Sequence, residues 1–239
     1  MEIIKIRESC YLANKILTEI KSLIEPGVKT EDLDHFAREL ITIHNAYPSL
    51  LNYRGYPKSI YCSVNNVIAH GVPNGRPLEE GDIVKVGLGL YLSGYHGSST
   101  DTFTVGEVDP HALKLIRVTR DCLQSGVSAS SPGNLLSSIG RAVHQEARRQ
   151  NCAVVPNVLG HGIGEHFTGP PDIYHCLNNV LGRLLPGMIF TVEPVISEGD
   201  RRLRRLEDGW SLVTQDNSRT AQVGLTVLVT SSGPEILTK

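Results

Sequence analysis

Two ten-residue segments constrain the fold more than any other feature of this chain. LEEGDIVKVG, ending at Gly87, and LLPGMIFTVE, ending at Glu193, share a glycine, an isoleucine two residues on, a valine five on and a variable residue six on. Each reads as an apolar strand entered through a glycine turn, and in each half of the chain helical periodicity precedes it. A repeat of this kind limits the chain to two αβ halves packed as a pseudo-twofold pair, with residues 87 and 193 facing one central cleft. The simplest architecture is a single α/β (α+β) domain over residues 1–239, an antiparallel sheet at its centre and helices on its outer face.

The local patterns agree with that frame. Residues 3–24 place Ile3, Ile6, Leu12, Ile16, Ile20 and Leu23 at mostly helical spacing, and Glu25-Pro26-Gly27 ends the run. Thr30 then reads as the N-cap of a second helix carrying Leu33, Phe36, Leu40 and Ile43 on one face. DPHALKLIRVTRDCLQSGV and GNLLSSIGRAVHQEARRQ read as a helix pair in the middle of the chain. DIVKVGLGLYL, DTFTVGEV, MIFTVEPVI, SLVTQD and TAQVGLTVLVT read as strands. Within VKVGLGLYLSGYHGSSTDTF, a strand, turn and return strand, Gly87 and Ser98 are expected at the two turning points.

Bulk properties narrow the function classes. A hydrophobic content of 40% and a net charge of -2 point neither to DNA nor to a membrane as partner. No apolar run approaches the ~20 residues that span a bilayer, and MEIIKIRESC lacks the pattern of a secretory leader. A cytoplasmic, monomeric protein is expected. The five cysteines are odd in number and lack a C-x-x-C pair, so they point to buried apolar residues rather than a disulfide framework.

Two residues stand out as chemistry. His161 lies among Gly160, Gly162 and Gly164, where the backbone curls closely around an imidazole. Glu193 sits in an otherwise apolar run, and a carboxylate there calls for a histidine, a cation, a substrate ammonium or a buried salt bridge.

Five segments in one order, from NYRGYPKSIYCSVNNVIAHGVPNGRPLEEGDIV through GYHGSSTDTFTVGEV, GHGIGEHF and TVEPVI to DGWSLVTQD, strongly resemble the type I methionine aminopeptidases along nearly the whole chain. The resemblance implies the pita-bread fold, whose central sheet is curved, and the removal of the initiator methionine from nascent proteins. It also implies two divalent metals (Co, Mn, Fe or Zn) held by two aspartates, one histidine and two glutamates. His161 and Glu193 match two of these five ligands, whereas the other three positions hold Gly87, Ser98 and Gly224. The family's second histidine after the glycine-rich motif is replaced by Thr168, and its substrate-contacting histidine matches His70. Tyr53, Tyr56, Phe167 and Trp210 match the lining of its methionine pocket, aromatic edges that suit a thioether.

Two protein ligands do not hold a pair of hard cations against water, so at most one loosely bound ion is expected. Without a firmly held metal the attacking water loses the lowering of its pKa from ~15.7 towards 7. Asp101, three residues beyond Ser98, is expected on the opposite face of its strand. The resulting expectation is a non-catalytic binder of peptides or nascent proteins with an N-terminal methionine. The alternatives are a weak metal-dependent aminopeptidase, a metal-free hydrolase of the creatinase kind built on His161 and Glu193, or a scaffold using its outer face. The run RRLRRL, residues 201–206, reads as a solvated loop or as a contact for ribosomal phosphate.

Overall fold

The computed structural model describes residues 2–239. Helix α1 (Glu2–Lys21) and helix α2 (Thr30–Ile43) come first, followed by the short strand β1 (Tyr47–Pro48). Strands β2 (Ile60–Val64) and β3 (Val67–Ala69) precede the long hairpin of β4 (Ile83–Leu92) and β5 (Tyr95–Thr104). Helices α3 (Pro110–Ser128) and α4 (Ser137–Arg149) lead into the second half. There β6 (Ala153–Val154), β7 (Gly160–Gly162), β8 (Gly169–Ile173), β9 (Ile189–Val192) and β10 (Val195–Ser197) follow one another. The chain ends in β11 (Leu203–Arg205), β12 (Leu212–Thr214), β13 (Thr220–Gln222), β14 (Leu225–Thr230) and β15 (Gly233–Ile236).

All strand pairs are antiparallel. β1, β2 and β5 flank β4 in one sheet, and β15, β14, β9, β7 and β8 lie side by side in another. A bridge between Thr100 and Gly224 joins these two sheets. β13, β10 and β6 form a third sheet, and β11, β12 and β3 a fourth. The core forms several clusters, some confined to one half and some shared between both. Ile16, Ile20 and Leu33 of the first helix pair pack on Val84, Val86 and Leu88 of β4. Leu115, Val118 and Val143 of the second pair pack on Ile196 and Ala221. The glycines that open the two echoed segments share a backbone state, Gly81 at φ 89° and Gly187 at φ 95°. A residue with a Cβ is strained there, which is why both turns use glycine.

The structure corrects several local expectations. α1 ends at Lys21, and Ser22 to Ile24 continue only as tight turns bonded back to Glu19, Ile20 and Lys21. Thr30 is not a cap: its hydroxyl donates to the Asn74 carbonyl and accepts from the Asn74 N–H, tying α2 to a loop. α2 buries Leu33, Asp34, Ala37 and Ile41 and packs Phe36 and Leu40 partly against the core, so of the expected face only Ile43 is exposed. Asp34 is on that face because its carboxylate accepts the N–H groups of Ser59 and Ile60. Gly87 and Ser98 are not turning points. They sit within paired strands, opposite Thr100 and Gly89, and the turn falls at Ser93 and Gly94.

Candidate active site

The two halves leave a cavity of about 270 Å³ between them, and its lining combines an aromatic wall with a polar floor. The wall comes from loops and from the 3-10 turn Tyr53–Gly55. Tyr53 meets Phe167 edge to face with ring centroids 5.2 Å apart, and Tyr56 meets Trp210 in the same way at 5.2 Å. Tyr56 is buried because its hydroxyl donates to the carbonyls of Ile60 and Gly71, which leaves its ring edge to the cavity. Phe167 also packs on the rings of His96 and His161. Thr168 and Ser98 line the same space, and His70, at φ 55°, stands at one side with its ring 6.3 Å from that of Tyr61. All eight residues singled out as catalytic or substrate-contacting thus lie on one cavity.

The floor is built on interrupted strands. MIFTVEPVI, expected as one strand, breaks at Glu193 and Pro194 into β9 and β10, which belong to different sheets. The break turns the Glu193 side chain into the cavity, 14% exposed. Proline at 194 suits the change because it has no N–H for a ladder. TAQVGLTVLVT breaks likewise at Val223 and Gly224, between β13 and β14. His161 comes from β7, where the paired backbone leaves no room beside its glycines. A Cβ at Gly160 would lie 2.1 Å from the Thr191 carbonyl oxygen, and one at Gly162 would lie 1.9 Å from that of Pro170.

His161 and Glu193 face each other at 3.9 Å between Nε2 and Oε1, beyond hydrogen-bond length. Their arrangement is set by Thr191. Its hydroxyl accepts the His161 N–H at 3.0 Å and donates to Glu193 Oε1 at 2.6 Å. Burial pushes the Glu193 pKa above the ordinary carboxylate value, with His161 and the Thr191 hydroxyl opposing that rise. Behind it His175 accepts the Glu193 N–H on Nε2 at 3.0 Å, which places its ring proton on Nδ1, facing the Val158 carbonyl. Burial lowers the His175 pKa to about 4, so the ring is neutral at pH 7.

Reasoning from the sequence missed three residues, two lining the floor (Tyr61 and Gln222) and Thr100 beneath it. The Tyr61 hydroxyl lies 2.8 Å from Thr100 Oγ1 and donates to Gln222 Oε1 at 3.1 Å. Gln222 Nε2 in turn lies 3.4 Å from Glu193 Oε2. Thr100, Tyr61, Gln222 and Glu193 therefore form a chain of neutral donors ending on a carboxylate. Tyr61, Thr100 and Gln222 each occupy an ordinary strand position, so no local signal separates them from core residues. Asp101 faces away, paired with Arg120 of α3. Ser98 donates to the Leu88 carbonyl at 3.2 Å. Glu193 is the single carboxylate lining the cavity among the described residues, and among them no cluster of three or more His, Cys, Asp or Glu side chains has metal-holding geometry.

The profile of metallopeptidase family M24 matches residues 4–231. The human protein named methionine aminopeptidase 1D, mitochondrial, is 42% identical over 234 residues, 98% of this chain and 70% of that one. The crystal structure of methionine aminopeptidase from Rickettsia prowazekii covers 100% of this chain and 97% of its own, at 39% identity and a TM-score of 0.98. The prolidase from Pyrococcus furiosus, at 20% identity and a TM-score of 0.78 over 100% of this chain and 64% of its own, shares the fold alone. On these likenesses the fold is the pita-bread fold, and the chain belongs to metallopeptidase family M24 as a homologue of the type I methionine aminopeptidases.

Proposed function

We propose that this chain binds peptides and nascent proteins through an N-terminal methionine and does not cleave them, its two-metal centre having been dismantled. The observation that carries this reading is that Glu193 is the one acid group lining the cavity among the described residues, beside an aromatic wall of four rings. Two divalent cations bring four positive charges, whereas His161 and Glu193 offer two ligands and one negative charge. The residues present do not fit such a pair, and at most one ion binds, loosely. Thr168, in the cavity wall, supplies a hydroxyl where an imidazolium is needed for proton transfer near neutral pH. The wall, by contrast, presents ring edges and apolar surface of the kind that holds a thioether. On this reading His70 keeps the substrate contact that the resemblance implies.

Free cysteines support a reducing compartment, which we take to be the cytosol, with the protein acting as a monomer. Arg201, just before β11, and Arg204, within it, are exposed and leave a cationic edge for ribosomal phosphate. Calorimetric titration with a Met-Ala-Ser peptide at neutral pH tests the binding, and absence of heat at millimolar peptide sinks it. Elemental analysis after incubation with manganese, cobalt or zinc is expected to find fewer than one ion per chain. Two ions per chain, or methionine release that His161→Ala abolishes, would establish a working enzyme instead.

A further inference from the structure

The sheet register sets four residues in one row. Tyr61 on β2 stands opposite Gly87 on β4, Gly87 stands opposite Thr100 on β5, and Thr100 bridges to Gly224 just before β14. Residues paired across strands present their side chains to the same face of the sheet. Here two of the four have none, and the tyrosine lies across the gap. A Cβ at Gly87 would fall 2.1 Å from Tyr61 Cζ and 2.3 Å from its hydroxyl oxygen. Contacts under 3 Å between carbon atoms are repulsive, so a side chain at 87 and the observed tyrosine ring exclude each other.

The ring is held where it is. Its hydroxyl is 2.8 Å from Thr100 Oγ1 and 3.1 Å from Gln222 Oε1, so it has crossed β4 entirely to bond β5 and β13. Gly224 is crowded on the other side, where a Cβ would meet that of Glu193 at 2.7 Å.

The geometry points to Tyr61 as a built-in plug: its ring occupies the volume over Gly87 that cations and their carboxylates would need, so replacing the missing carboxylates alone does not restore a metal site. This rests on the reading of the site as lacking its cations, and it adds a second obstacle independent of ligand count. Tyr61 is thus a positioning residue, one that fills the floor and hands a hydrogen bond to Gln222.

The test compares Gly87→Asp/Ser98→Asp/Gly224→Glu in three backgrounds, with Tyr61 kept, with Tyr61→Phe and with Tyr61→Ala. Manganese per chain is measured by elemental analysis after dialysis. The expected result is two ions with Tyr61→Ala and fewer than one with tyrosine or phenylalanine, since phenylalanine keeps the ring and loses only the hydroxyl. Equal stoichiometry with tyrosine and with alanine, at any value, overturns the assignment. Two ions in the unaltered protein would instead overturn the underlying reading. If the triple variant does not fold, the same contact is read by Gly87→Ala, which is expected to lower Tm by several degrees beside Tyr61 and to have little effect beside Tyr61→Ala. Additive Tm changes in that cycle overturn the assignment as well.

Discussion

Trp210 is the only tryptophan of the chain, and it forms one edge of the cavity against Tyr56. A large ring half open to a pocket loses contact area with any ligand when truncated, and such anchors typically contribute about 2 kcal/mol, or ~30-fold in affinity. Trp210→Ala is therefore expected to weaken Met-Ala-Ser binding by roughly that factor in calorimetry. Trp210→Tyr is expected to weaken it far less, and equal losses would mean that the ring is core filler. The aromatic residues were legible in the sequence because they stand in motifs that follow one another along the chain. Tyr61 was not, since its meaning depends on standing opposite a glycine 26 positions on, a pairing that only the register supplies. The same limit hid Gln222 and Thr100, whose side chains acquire a role from a hydrogen-bond chain that crosses three strands.

Lys85 shows at the level of elements how the half-sheets are joined. The side chain is fully buried on β4, and its Nζ donates to the Asn65 carbonyl at 3.0 Å, the Thr220 carbonyl at 2.7 Å and Thr220 Oγ1 at 2.9 Å. No carboxylate among the described residues pairs with it, and burial lowers its pKa well below the ordinary lysine value. Between that lowered value and the unfolded value near ~10.4, the unfolded chain binds more protons than the folded one, so stability rises with pH through this window. The slope for one proton is at most about 1.4 kcal/mol per pH unit. Urea unfolding of the wild type and of Lys85→Met between pH 7 and 10 is expected to show the wild type gaining on the variant as pH rises. A difference that stays constant would mean that Lys85 titrates alike in both states. The sequence reading captured the hairpin of β4 and β5 and the helix of 110–128, both of which are long and strongly patterned. It merged β9 with β10 and β13 with β14, because apolar runs on both sides of Glu193 and Gly224 conceal that the partners change. Of the face it gave α2, Leu33, Phe36 and Leu40 do pack on the core, whereas Ile43 is exposed and the buried polar Asp34 was not foreseen.

At the scale of the molecule, the cavity draws its walls from both halves, with Tyr53 and Tyr56 from the first and His161, Phe167 and Trp210 from the second. The echo between Gly87 and Glu193 was readable because the same turn and strand serve both halves, but the floor between them is asymmetric: a carboxylate on one side, a tyrosine ring over a glycine on the other. A ligand that touches both walls binds only when the halves are packed, so its binding energy adds to global stability. At one hundred times its Kd such a ligand stabilises the folded chain by about 2.7 kcal/mol. For a chain of this size each kcal/mol shifts Tm by roughly 2–4 °C, so saturating Met-Ala-Ser is expected to raise Tm by about 5–11 °C. The emission of Trp210, the single tryptophan, is expected to change over the same concentration range, because the ring borders the cavity. An N-terminal aspartate in place of methionine would put a carboxylate among the rings and beside Glu193, and that peptide is expected to leave both Tm and emission unchanged. Equal shifts with the two peptides would show that the aromatic wall does not select for the methionine side chain, and the cavity would then be a remnant of packing between the halves.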